Sequence, residues 1–127
     1  IHPPASFGQR VDMRAWRIPF GQENSHSAHW IRERSGHPID HVLLAYLADA
    51  YPPRILTRSP GMRPSSTLTL SAYFYAGADE LAAIGEDFIL SEAVGTRAAA
   101  SIIGSQLNMW NRSGALLATS EQLCWFK

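Results

Sequence analysis

Asp40-His41-Val42-Leu43-Leu44-Ala45-Tyr46-Leu47-Ala48-Asp49-Ala50-Tyr51, closed at once by Pro52-Pro53, is the stretch on which the fold turns. Asp40 stands where an N-cap carboxylate accepts from the free N–H groups of a first helical turn. Two prolines, which have no N–H to give, stop the run. From His41 to Tyr51 the segment would rise about 16 Å as an α-helix. It is apolar almost all the way round, so the spacing predicts a buried helix rather than an amphipathic one. A buried helix in a chain otherwise made of strands requires a sheet laid around it.

The flanking sequence supplies those strands. Val11 to Trp16 alternates with period two, and Ala28 to Arg34 carries the bulky β-former Trp30. The polar stretch 19–27 connects them, and Ser35-Gly36-His37-Pro38 is a turn before the helix. Beyond the helix, 53–65 is rich in Pro, Arg and Gly and reads as a long loop. Ser66 to Tyr75 gives the cleanest strand pattern, with Leu68, Leu70, Ala72 and Phe74 on one face. Thr67, Thr69, Ser71, Tyr73 and Tyr75 then fall on the other. Phe88 to Val94 and Ala99 to Trp110 read as two more strands. Asn111-Arg112-Ser113-Gly114 is a hairpin turn, and Leu116 to Trp125 is the closing strand. The expected order is β-β-α-β-β-β-β, an α+β fold with an antiparallel sheet curved around one long central helix.

Composition is consistent with this. The chain has 127 residues, enough for one domain, with residues 1–9 as a linker and 10–127 as the domain. Its 46% hydrophobic and 17% charged content is that of a globular protein. Eleven basic residues balance eleven acidic ones, which argues against a nucleic-acid partner held by counterion release. No apolar run reaches the roughly 20 residues of a membrane span, so no membrane partner is expected. Cys124 is the single cysteine, which excludes an internal disulfide and fits a cytoplasmic protein. The opening Ile1-His2-Pro3-Pro4 has neither initiator Met nor signal pattern, and reads as the interior of a longer chain.

Two residues stand out against their surroundings. Asp49 places a carboxylate in the last helical turn among Leu47, Ala48, Ala50 and Tyr51, where it opposes the helix dipole. Gln122 shares a strand face with Leu116, Ala118, Ser120 and Cys124, and an inward carboxamide must find partners. The bland readings are an exposed acid at a fraying helix end and a backbone-bonded glutamine. Thr67, at the start of the best strand, is unremarkable by itself. The five histidines have no ligand spacing: His37 and His41 are separated by Pro38 and the N-cap, and no HExxH run exists. No metal or cofactor is expected. GxSxG, P-loop and GxGxxG motifs are absent, and Cys124 reads as a packing thiol. Asn111-Arg112-Ser113 matches a glycosylation acceptor but reads as turn chemistry.

Taken in order, these pieces resemble the C-terminal half of the double-hotdog acyl-CoA thioesterases of the thioesterase II group. Trp30-Ile31-Arg32 and the helix closing in Tyr46-Leu47-Ala48-Asp49 look like that family's strand and its helix ending Tyr-x-x-Asp. Ser66 to Phe74 resembles the strand opening with the family's active-site Thr, and Asn111 to Gln122 the closing hairpin that leads to its active-site Gln. The resemblance implies a hotdog fold, a second hotdog as partner (an N-terminal half or a copy of the chain), and hydrolysis of an acyl-CoA or acyl-carrier thioester. It implies that Asp49, Thr67 and Gln122 hold the hydrolytic water. Arg54, Arg58 and Arg63, in the loop between helix and strand, would then border the substrate entrance and meet coenzyme A phosphates, unless they are only solubilising charge. The sequence departs from the family at Thr69-Leu70, where an Asp-His pair is usual, and at 99–104, where an Arg-Gly-rich approach is usual. Two alternatives stand beside hydrolysis: a hydratase or dehydratase using Asp40-His41, and a non-catalytic acyl-binding half.

Overall fold

A computed structural model describes residues 11–17, 26–49 and 65–127. The linker expected at 1–9, the helix end at Ala50-Tyr51 and the loop arginines Arg54, Arg58 and Arg63 lie outside these residues. Strands β1 (Val11–Arg17) and β2 (Ser27–Glu33) lead into helix α1 (His41–Leu47). Then come β3 (Ser65–Phe74), helix α2 (Ala78–Ile84), β4 (Ile89–Ala99), β5 (Ile102–Trp110) and β6 (Leu116–Phe126). The strands form one antiparallel sheet in the order β1-β2-β4-β5-β6-β3. The chain must therefore pass from β2 to the far edge of the sheet before it can begin β3, and α1 lies in that crossing. This is why the helix packs on the sheet face.

One side of α1 closes the core. Leu43, Leu44, Leu47 and Ala48 join Ile31, Ile89, Ala93, Leu107, Met109 and Ala118 of the sheet in one buried cluster. Each fully buried Leu or Ile contributes about 1.5–3 kcal/mol. The opposite side stays open: Val42 is 80% exposed, and Ala45 is exposed too. The expectation of a helix buried all round thus fails within this chain, although the apolar residues that prompted it are there.

Asp40 caps α1 as expected, accepting from the Leu43 N–H at 2.7 Å. The helix ends at Leu47, earlier than the apolar run implied. Ala48 still bonds back to the Leu44 carbonyl, but the Asp49 N–H turns to the Tyr46 carbonyl, three residues back. Pro52 has no N–H for the carbonyl four residues before it, that of Ala48, so another helical turn would leave that group unsatisfied.

Two further corrections concern the turns. Helix α2 is absent from the expected order. It is one short segment with Asp79 and Glu80 in its first turn and Gly85 at a positive φ behind it, burying only Leu81. The strand expected to start at Ala99 is interrupted, because Ala100 and Ser101 turn the chain with φ of 54° and 65°. Such two-residue turns normally announce themselves with Asn or Gly, and this one does not. The Asn111–Gly114 hairpin is present. Gly114 takes φ 95°, and the Asn111 side chain accepts from Ala115 N–H and Ser113 Oγ.

Candidate functional site

The residues just past the end of α1, the start of β3 and the middle of β6 meet at one point on the inner face. Gln122 sits there at 6% exposure on β6. Its Nε2 donates to Asp49 Oδ1 at 2.7 Å and to Thr67 Oγ1 at 2.9 Å. The donor assignment follows from chemistry, since a carboxylate cannot accept from the amide oxygen. Asp49 and Thr67 are both exposed, so the three groups form a polar notch that is open on one side and rooted in the sheet on the other.

Simple alternation in β3 would place Thr67 elsewhere. Leu70 stands opposite Gln122, Ala72 opposite Ser120 and Phe74 opposite Ala118, so these share the inner face, and counting back from Leu70 puts Thr67 outside. The register shifts between Thr67 and Thr69: Thr69 faces Leu123, and Thr67 faces Cys124. Leu68 is the extra residue of a β-bulge, a device that re-aims a side chain. Thr67 thereby takes the inward position that an unbroken ladder would give to Leu68. The expectation that Thr67 shares a face with Thr69, opposite Leu70, is overturned.

Cys124, read from sequence as a packing thiol, is drawn into the same neighbourhood. It is half-buried, and burial pushes its pKa up. The hydrogen-bonding Thr67 hydroxyl acts in the opposite direction, and the nearby Asp49 charge adds to the rise. Alternation alone put Cys124 on the face of Gln122, but its pairing with Thr67 depends on the register across the bulge, which leaves no mark in hydrophobic periodicity.

The other polar residues weighed from sequence are engaged elsewhere. Asp40 caps α1 and meets His37 at 3.3 Å, while His41 Nε2 lies 2.8 Å from the Ala76 carbonyl oxygen. That pair is thus tied to backbone and cap. His26 pairs with Glu92 at 2.8 Å, and His29 is buried.

The notch can fix a water. A carboxylate accepts one water proton, and a hydroxyl set beside it by a shared carboxamide can orient the other. No covalent nucleophile is required, and the raised Cys124 pKa keeps that thiol protonated near neutrality.

Comparison with known proteins bears on this geometry. The family model described as acyl-CoA thioesterase C-terminal domain matches residues 2–126. Among solved structures, a conserved protein of unknown function with a hot dog fold from Alicyclobacillus acidocaldarius superposes with a TM-score of 0.91 at 27% identity, over 100% of this chain and 50% of that one. A tesB protein of Mycobacterium avium subsp. paratuberculosis gives 0.74 at 22% identity, covering 94% of this chain and 48% of its own. An acyl-CoA thioesterase II, TesB2, from Mycobacterium marinum gives 0.71 at 18%, covering 98% and 51%. No curated protein matches. The fold is the hotdog, and the chain spans about half the length of these structural relatives.

Proposed function

The chain belongs to the acyl-CoA thioesterase C-terminal domain family, and from that premise we propose that it hydrolyses an acyl thioester, acyl-CoA or its carrier-protein equivalent, with a water held by Asp49, Thr67 and Gln122. The observation that carries the reading is the single carboxamide joining Asp49 to Thr67. In this scheme Asp49 accepts a proton as the water oxygen attacks the thioester carbonyl. The tetrahedral intermediate collapses with loss of the C–S bond. The leaving thiolate takes a proton, and the acid is released. Thr67 orients the water. Gln122 has both N–H groups turned to Asp49 and Thr67, so it acts as a clamp on the two groups rather than as the donor for the developing oxyanion.

The open apolar face supports a second hotdog in the working protein, from the same polypeptide or from another copy. Among the described residues strand β3 is an edge of the sheet, its inner face leaves Leu70 and Phe74 exposed, and Phe74 meets His41 of α1 edge-on at 6.0 Å, on the helix that also bares Val42. An uncovered edge with apolar side chains is a surface that proteins normally cover. Within the same reading, Arg54, Arg58 and Arg63 border the entrance and meet coenzyme A phosphates. A cytoplasmic setting suits the substrate. Among the described residues, no helix is long and apolar enough to cross a membrane.

The test is a panel of acyl-CoA esters followed by free-thiol release, with enoyl-CoA hydration run alongside. Thiol release without hydration supports the reading. Hydration without thiol release, or neither, removes it.

A further inference from the structure

Resting on that hydrolytic reading, we propose that Cys124 is a positioning residue for Thr67: its sulfur, directly across the bulge, takes the hydroxyl proton and leaves a Thr67 lone pair turned to the water. A threonine hydroxyl has one proton and two lone pairs. The Gln122 N–H fills one lone pair at 2.9 Å. What Thr67 offers the water is then decided by where its own proton points. A water that attacks a carbonyl must keep a lone pair toward the carbon, so both its protons need acceptors. Asp49 is one acceptor. Thr67 is the other only if its proton is directed away.

The register supplies the place for that proton. Thr67 and Cys124 are direct cross-strand partners, and the bulge at Leu68 makes them so. Directly opposed residues have Cβ atoms about 4.5–5.5 Å apart on one face of the sheet, within reach of a hydroxyl and a sulfur. Cys124 also lies two residues beyond Gln122 on β6, so all three side chains point inward. The Thr67 hydroxyl partly offsets the effect of burial on the thiol, as a donor to sulfur does. Sulfur is a weak acceptor and a thiol a weak donor, which suits a group that must fix a rotor without competing for the water.

The test uses Cys124→Val and Cys124→Ser in the protein assembled with its second hotdog. Loss of one orienting hydrogen bond should lower kcat about five- to tenfold with KM little changed. Cys124→Ser, which keeps an acceptor, should restore most of the rate. In a Thr67→Val background, Cys124→Val should have no further effect. A Cys124→Val protein at the parent kcat, or one that loses the same factor with and without Thr67, overturns the proposal. A second measurement is independent of hydrolysis, so failure of the hydrolytic reading is distinguishable. The pH profile of Cys124 alkylation by iodoacetamide should move to higher pH in Thr67→Val and stay in place in Thr67→Ser. Superimposed profiles for all three proteins overturn the proposal whatever the protein does to acyl-CoA.

Discussion

The Gln122 carboxamide reaches across 73 positions of sequence to donate to the Asp49 carboxylate at 2.7 Å. Both ends of this contact looked out of place locally: an acid opposing its helix dipole, and an amide on a small-residue strand face. Together each answers the other's need, because the buried amide gains an acceptor and the carboxylate gains a donor. Removing Gln122 should therefore disturb both neighbours. Gln122→Ala and Thr67→Val should each lower kcat, and the double variant should lose less than the product of the two factors, since groups holding one water act as a unit. Steady-state kinetics on the four proteins of that cycle check this, and strictly multiplicative losses would count against a shared water.

Acid should loosen the protein at two surface carboxylates. Glu33 accepts from Ser35 Oγ, Ser35 N–H and His37 N–H, which hold its pKa down to about 2. Asp87 is brought to about 2 by its two-pronged contact with Arg112 at 2.8 and 2.9 Å. Both folded values lie below the ordinary carboxylate values of 4.5 and 3.8, so the stability they contribute is present above those values and lost as pH falls toward 2. Melting curves of the parent should show that fall. Glu33→Gln and Asp87→Asn should each start lower at neutral pH and decline less. Parallel declines in all three would refute the assignment.

The Ala100-Ser101 turn should be improvable. Non-glycine residues in the left-handed region cost roughly 1–2 kcal/mol each. Ala100→Asn with Ser101→Gly gives the two-residue hairpin the residues it prefers, and should stabilise the protein by about 1 kcal/mol. Urea unfolding at constant m-value reads this directly, and an unchanged or lower midpoint would show that the turn is not strained.

A second hotdog over α1 and β3 should be visible in solution. Light scattering on the chain by itself should give twice its 14.0 kDa, or aggregation, rather than a stable monomer. Val42→Glu, at a position 80% exposed here, should leave an isolated domain folded but weaken the association. A monodisperse monomer across a concentration series would contradict the pairing.

Most of the fold could be read from the chain because its signals are local. The Asp40 cap, the proline stop, the alternation from Leu70 to Phe74 and the Asn111–Gly114 turn each act within a few residues. What escaped was fixed by partners or lacked a signal. Ala100-Ser101 turns without Gly or Asn. Helix α2 buries little beyond Leu81. The exposed Val42 side looked like core because apolar character alone cannot distinguish a core from an uncovered interface. For the site, Asp49 and Gln122 were legible as misfits, whereas Thr67 was named only through the resemblance, and simple alternation grouped it with Thr69 instead of Leu70. Its inward aim depends on the register opposite Cys124, and that belongs to two strands at once.

The central claim is that Asp49 holds and deprotonates the hydrolytic water. Asp49→Asn keeps the shape and can still accept from Gln122 through its amide oxygen, but it removes the negative charge. The measurement is kcat for acyl-CoA hydrolysis, with the melting temperature of the same preparation followed beside it. Asp49→Asn should melt normally and turn over more slowly by about 10²–10⁴, the usual worth of a general base. An Asp49→Asn protein that melts normally and releases thiol at the parent rate would contradict it.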